Sequence, residues 1–226
     1  MLQEVQQPDC SFDELDVKVA IPNLLIAGVG TFSHFFLYFM NVMANNQGVL
    51  RKVQDEIDLV MDNGRSLSNI HKDGMPYTYA TQMELTRYLS LTPMGLPHAT
   101  LRDTSIAQFH LPEGTEIMAN LWHLHHDEDF WDAPFEFKPE RFLDEQGKLL
   151  SSSHPNRKHV MAYGAGQRVC LGEAMGKIHL FAYCAVIARN FNIKSGPQVV
   201  TCDPRDFIPG AVIEMPDFEL VFESRL

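Results

Sequence analysis

The sequence predicts a mainly α protein with small β-sheet elements. Three observations carry that prediction. From Val19 to Leu50 there is no Asp, Glu, Lys or Arg, a run far longer than a strand and suited to a helix of many turns. Glu173 to Asn190 is a second long stretch at helical spacing. Past Pro93 the texture changes to short segments punctuated by turn residues, which read as short strands or hairpins.

Taken in order, Ser11-Phe12-Asp13-Glu14 places a capping residue three positions before an acid, a helix-start spacing that satisfies orphan N–H groups, so a helix is expected over 11–46. It is apolar on nearly all sides, through Leu24, Leu25, Ala27, Phe35, Phe36, Leu37, Phe39 and Met40. Pro22, Asn23, Gly28, Gly30, Ser33, His34 and Asn41 interrupt it. Such interruptions favour a helix buried in protein over a lipid-facing one, although ~20 apolar residues suffice to cross a bilayer. In Ala27-Gly28-Val29-Gly30-Thr31 two glycines thin the helix beside a hydroxyl, which would let a flat ligand approach the backbone, or a second helix pack closely.

After a break at Asn45–Gly48, residues 49–61 read as an amphipathic helix with Val49, Val53, Ile57 and Val60 on one face. Gly64–Met75 reads as a loop, and 77–91 as a helix on which Glu84 and Arg87 share a face and can pair. Residues 95–120 hold the short strands. His123 and His125 would share a strand face as metal ligands, but no Cys or acid completes a shell, so His123, His125 and His126 read as a surface cluster at a helix start. Asp144–Arg157 is loop-like in composition.

Composition narrows the function classes. The chain has 226 residues, 45% of them hydrophobic and 21% charged, which is too apolar for a disordered tail. A formal net charge of -11 argues against a nucleic-acid binder, which needs clustered Lys and Arg. Small molecules and proteins are the better partners. Cys10, Cys170, Cys184 and Cys202 are widely separated, as suits a reducing compartment rather than a disulfide scaffold. The first residues have neither the basic flank nor the apolar core of a signal peptide.

One segment points to chemistry. Tyr163-Gly164-Ala165-Gly166-Gln167-Arg168-Val169-Cys170-Leu171-Gly172 sets a cysteine among glycines just before the helix 173–190. An anionic sulfur there is stabilised by backbone N–H groups and the positive end of the helix dipole. The glycines let a planar ligand lie against the loop, and Arg168 could neutralise a carboxylate near the sulfur.

Here the sequence resembles the cytochrome P-450 family of haem-thiolate monooxygenases. The family's haem-loop pattern is matched by Tyr163, Gly166, Arg168, Cys170 and Gly172, with Tyr where Phe is usual. Glu84-x-x-Arg87 and Pro139-Glu140-Arg141-Phe142 are similar to the family's E-x-x-R and P-E-R-F motifs, which implies a structural Glu84–Arg87–Arg141 network. Ala27–Thr31 is similar to the distal element of the I helix, with Thr31 at the oxygen-side threonine and Gly30 in place of the usual acid.

The resemblance implies the family fold in its C-terminal part only: I helix 11–46, J helix 49–61, K helix 77–91, short strands 95–120, meander and haem loop 135–172, L helix 173–190 and C-terminal strands 191–226. It implies haem b with Cys170 as the axial iron ligand, and Arg168 and His98 at the haem propionates. The turns at Leu96–Ala99 and Ile208–Val212, with Thr31, would be what remains of a substrate pocket. A whole member would hydroxylate a lipophilic small molecule with dioxygen and electrons from an NADPH-dependent flavoprotein reductase. It would sit on the cytoplasmic face of the endoplasmic reticulum membrane through an N-terminal anchor that this chain lacks; made alone, the chain would be cytoplasmic. Two alternatives accompany this reading. Gly30 would suit a hydroperoxide isomerase or dehydratase, and the chain by itself would be a non-catalytic fragment or truncated isoform.

Overall fold

Asp13, rather than Ser11, caps the first helix. Its carboxylate accepts from the Asp16 N–H at 2.9 Å, while the Asp13 N–H donates to the Asp16 carboxylate at 2.9 Å. Acids at both positions close the same reciprocal box that Ser11 and Glu14 would have formed. Ser11 lies outside the residues that the computed structural model describes, which are 13–62, 74–198 and 200–225.

Helix α1, Glu14–Asn45, has 32 residues and runs through Pro22, which makes it about 48 Å long. Its two halves differ. The C-terminal half buries Phe35, Tyr38, Phe39, Val42 and Met43, whereas Val19, Leu24, Leu25, Ile26 and Val29 are exposed. The expectation of a helix buried in protein therefore holds only for the second half. The most apolar 18-residue window is long and apolar enough to cross a membrane, yet only 6% of it is covered by the described chain.

The break after α1 is a single residue, Asn46, because side-chain amides replace the missing helical donors. Asn46 Nδ2 donates to the Val42 carbonyl, and Gln47 Nε2 to those of Met43, Ala44 and Ile193. The carbonyls of Val42, Met43 and Ala44 lie in the last turn of α1, where a helix end leaves acceptors short of donors. Helix α2, Gln47–Asp62, thus starts earlier than the residue-49 boundary read from the sequence, and buries Leu50, Val53, Gln54, Ile57 and Val60.

From α2, two side chains cap other helices. Gln54 Nε2 donates to the carbonyls of Ala188 and Phe191 at the end of helix α6, Glu173–Asn190. Glu56 accepts from the N–H groups of Tyr77 and Thr78 and from the Thr78 hydroxyl, at 2.6–2.8 Å, across the start of helix α3, Pro76–Leu89. Pro76 suits that first turn, where its missing N–H is no loss. The read loop Gly64–Met75 falls mostly outside the described residues.

Six short strands follow among the described residues. β1 (His98–Ala99) pairs antiparallel with β4 (Glu116–Ile117), and β2 (Thr104–Ile106) with β3 (Phe109–Leu111). β5 (Phe191–Ser195) pairs with β6 (Leu220–Ser224), Ile193 standing opposite Phe222. Helices α4 (Leu121–His126) and α5 (Pro155–His159) complete the fold. The architecture is mainly α with small antiparallel sheets, as the sequence predicts.

The core joins the second half of α1 to α2, α3, α6 and β5, through Phe39, Met43, Ile57, Leu85, Phe181, Ala188 and Ile193. A smaller cluster of Ala80, Trp131 and Phe142 covers the opposite side of α3, so α3 is buried on almost every face. Replacing Glu56→Ala removes three hydrogen bonds at the α3 start and is expected to cost about 1–2 kcal/mol, read as a lower urea midpoint with unchanged slope.

Candidate functional site

Burial of α3 sets the electrostatics. Glu84 and Arg87 are each fully buried, and ions removed from water demand complete pairing. They receive it. Arg87 Nε and Nη2 donate to the two Glu84 oxygens at 2.8 Å each, a two-pronged contact. Arg141, from the turn Pro139–Phe142, reaches Glu84 Oε1 at 3.3 Å, and the Lys138 N–H reaches the same oxygen at 2.9 Å.

Two guanidinium groups against one carboxylate leave an excess positive charge. Backbone carbonyls offset it. Arg87 donates to His125 at 2.7 Å and Pro134 at 2.8 Å, while Arg141 donates to the carbonyls of Asp132, Ala133 and Glu136. The Arg87 guanidinium also lies 5.1 Å from the Trp131 ring centroid, a favourable cation–π distance. The segment 132–141 is thereby wrapped onto α3 from several sides.

His125 and His126 are buried, which corrects their reading as a surface cluster. Among the described residues no cluster of three or more acids, cysteines and histidines is placed to hold a metal ion between them. Helix geometry, rather than a strand, places His125 toward α3, where its carbonyl meets Arg87. Its ring bridges Ser90 Oγ at Nδ1 (2.9 Å) and the Met161 N–H at Nε2 (3.1 Å). An amide N–H only donates, so Nε2 accepts and Nδ1 carries the proton. Burial, His126, Arg87 and His159 push this imidazole down to about 3. His126 stacks on Phe135, lies tilted against Trp122, and faces two carbonyls, those of Trp122 and Tyr88. That pairing favours an imidazolium, against the burial that pushes it down to about 4.

Met161 begins the cysteine loop. Its carbonyl accepts from the Gly164 N–H at 2.8 Å, and the Tyr163 carbonyl accepts from the Cys170 N–H at 2.8 Å. Gly164 and Gly166 have φ of 75° and 72°, a left-handed conformation that glycine adopts without strain. Tyr163 packs under Lys177, whose Nζ is 5.1 Å from the ring centroid and pairs with Glu173. Burial, then Cys170 and Glu173, push the Tyr163 phenol above its ordinary range.

Cys170 is a free thiol and exposed, immediately before α6. A Cβ placed on Gly172 would lie 3.9 Å from its sulfur, and one on Gly166 would meet nothing within 4 Å. Val169 and Leu171 beside it are exposed apolar side chains. A soft sulfur donor near a helix start, in a glycine loop flanked by exposed apolar residues, fits a metal-bearing cofactor.

Arg168 is exposed in a short 3₁₀ turn of the same loop, and His98 is exposed on β1. No described hydrogen bond or ion pair joins the two. Thr31 sits on α1, its hydroxyl donating to the Ala27 carbonyl at 2.7 Å. Next to it, a Cβ on Gly28 or Gly30 would meet nothing within 4 Å. Glu84, Arg87 and Arg141 are thus in direct contact, Tyr163, Gly166, Arg168, Cys170 and Gly172 form one loop, and His98 and Thr31 stand on separate elements.

The family model for Cytochrome P450 matches residues 1–222. The chain belongs to the cytochrome P450 family. It is 38% identical to Cytochrome P450 2U1 of Rattus norvegicus over 181 residues, 80% of this chain and 33% of that protein. It is 35% identical to Cytochrome P450 2L1 of Panulirus argus over 195 residues, 86% of this chain and 39% of that protein. With Steroid 17-alpha-hydroxylase/17,20 lyase of Gallus gallus it shares 34% over 214 residues, 95% and 41% of the two chains. The chain therefore spans well under half the length of these relatives. Membership of a P450 family implies a haem-thiolate cofactor, and the sulfur donor present fits one.

Two outcomes follow from this geometry. Glu84→Gln leaves two buried guanidinium groups without a counter-ion and is expected to cost about 3–5 kcal/mol in urea unfolding. For His125 the folded ring resists protonation while the unfolded one titrates near its ordinary 6.5. The unfolded chain then binds more protons, so stability falls as pH drops from about 6.5 toward 3. His125→Gln is expected to flatten that dependence in a series of urea midpoints from pH 7 to 4.

Proposed function

We propose that this chain forms the cysteine-bearing part of a P450 monooxygenase that hydroxylates a lipophilic small molecule such as a steroid, fatty acid or xenobiotic. The observation that carries the reading is the exposed Cys170 thiol in its glycine loop at the start of α6. Haem b, held there, would supply the iron chemistry by which dioxygen, two electrons and two protons convert one substrate C–H into C–OH and release one water.

The chain's own residues have assigned parts in this proposal. Cys170 offers the sulfur ligand. Arg168 and His98 offer positive charge or N–H donors to the propionates. Gly166 and Gly172 keep side chains off the face of the loop, and the Tyr163 carbonyl fixes the Cys170 amide. Thr31 holds a proton at Oγ1 that is directed to the Ala27 carbonyl, and its hydroxyl would have to rotate off that carbonyl to pass a proton to the reaction. The Glu84–Arg87–Arg141 network keeps segment 132–141 on α3. Electrons would come from an NADPH-dependent flavoprotein reductase, with the exposed Lys148 and Lys158 as docking charges. The endoplasmic reticulum membrane is the proposed site of the whole protein.

A second reading rests on Gly30. No carboxylate precedes Thr31, and the Gly30 carbonyl is held instead by His34 Nδ1 at 2.7 Å. A reaction that starts from a hydroperoxide brings its own oxygens and needs no such relay, as in an isomerase or dehydratase. A third reading, a non-catalytic fragment or truncated isoform, falls if the isolated chain binds haem stoichiometrically with a thiolate spectrum.

Haem titration followed by a ferrous–CO spectrum tests the first reading. The red-shifted thiolate Soret band is expected with Cys170 and should be absent in Cys170→Ser; a band unchanged by that substitution would overturn it. Product formed anaerobically from a hydroperoxide without reductase would favour the second reading, and product requiring dioxygen and NADPH the first.

A further inference from the structure

Between the buried ion network and the cysteine loop stands one side chain that the assigned chemistry does not use. His125 accepts Arg87 Nη1 on its carbonyl at 2.7 Å and the Met161 N–H on its ring at 3.1 Å. Both contacts are buried or nearly so, and neither belongs to an element's own ladder. We propose that His125 is a positioning residue that fixes the entry of the cysteine loop, and through it the Cys170 sulfur, against the α3 ion network.

The path is continuous in hydrogen bonds. Glu84 holds Arg87, and Arg87 holds the His125 backbone. The His125 ring then holds the Met161 amide, and the Met161 carbonyl holds the Gly164 amide. Tyr163, between them, accepts the Cys170 amide at 2.8 Å. After the side-chain pair Glu84–Arg87, every bond holds a backbone group: the His125 carbonyl, the Met161 amide, the Gly164 amide and the Cys170 amide.

Ser90 sets the ring. It stands at the end of α3 with φ of 42° and its hydroxyl 2.9 Å from Nδ1. Because Ser90 Oγ accepts the Nδ1 proton, Nε2 is left with its lone pair toward Met161. The opposite tautomer would set an N–H against the Met161 N–H and break the link. Burial keeps the ring neutral, since a protonated ring has no acceptor to offer. Gln at this position retains one acceptor on a flexible chain, whereas Phe keeps the ring shape and loses both polar contacts.

This inference rests on the reading of Cys170 as the functional sulfur, and its test separates the two. Amide hydrogen exchange of residues 161–170 and the rate of Cys170 alkylation by iodoacetamide are measured on the haem-free chain. The variants are wild type, His125→Phe, His125→Gln and Ser90→Gly, and protection of α2 and α6 reports global folding. Ser90→Gly removes the hydroxymethyl side chain, and with it the Nδ1 partner, and suits the positive φ. Expected results are exchange at least about tenfold faster at 161–170 in His125→Phe, a smaller rise in Ser90→Gly, partial rescue in His125→Gln, and a changed alkylation rate in step, with α2 and α6 protection kept. If His125→Phe unfolds throughout, Ser90→Gly decides. Unchanged loop exchange and alkylation in a folded Ser90→Gly or His125→Phe chain would overturn the proposal. Failure of the ferrous–CO test would instead remove the haem reading and leave the positioning result standing.

Discussion

The buried Glu84 carboxylate organises more of this protein than any other group. It takes donors from three directions: the next turn of its own helix, the backbone at Lys138, and Arg141. A lone carboxylate inside a protein would be neutralised or expelled. Its persistence as an ion demands Arg87, and Arg87 in turn demands the carbonyls of His125 and Pro134. The irregular segment between α4 and α5 has little secondary structure of its own, so these charge-assisted bonds stand in for a ladder.

That constraint explains why an unremarkable composition gives a specific fold. The apolar core joins α1, α2, α3, α6 and β5, and such a core tolerates many shapes of similar volume. The ion network does not. It requires α3, the turn at Pro139–Phe142 and α4 to meet at hydrogen-bond distance, which fixes the register of everything between them. The caps supplied by Gln47, Gln54 and Glu56 do the same for helix ends. Polar side chains therefore choose one packing among those the hydrophobic core would allow.

Much of this was legible in the sequence, and the reasons differ by element. Helix α6 was legible because Gly172 stands before it and no proline interrupts the residues from Glu173 to Asn190. The sulfur loop was legible because glycines at fixed offsets around Cys170 have few other uses. Glu84 and Arg87 were visible as a pair, but their burial was not, since i,i+3 spacing is equally common on surfaces; Arg141 entered through a family resemblance. The first half of α1 was expected inside protein because polar interruptions suggested it, yet what covers a helix depends on parts of a fold its own residues do not encode. His125 was misread for a related reason. Histidine spacing suggests ligation or exposure, and only the tertiary path of 121–126 turns that ring toward Ser90 and Met161.

Function on this scaffold is a matter of holding one sulfur at a stated place. Cys170 lies at the start of α6, whose own position comes from core contacts with α2 and α3, while the loop before it is tied through Met161 to α4. Helical core and ion network thus approach the sulfur from opposite ends of the same ten-residue loop. The central claim is that Glu84 and Arg87 act as one buried unit rather than as two independent charges. A double-mutant cycle of Glu84→Gln and Arg87→Met in urea unfolding tests it most directly. Strong coupling, about 2–3 kcal/mol, with the double variant no less stable than the worse single one, is the predicted result; additive losses would contradict it.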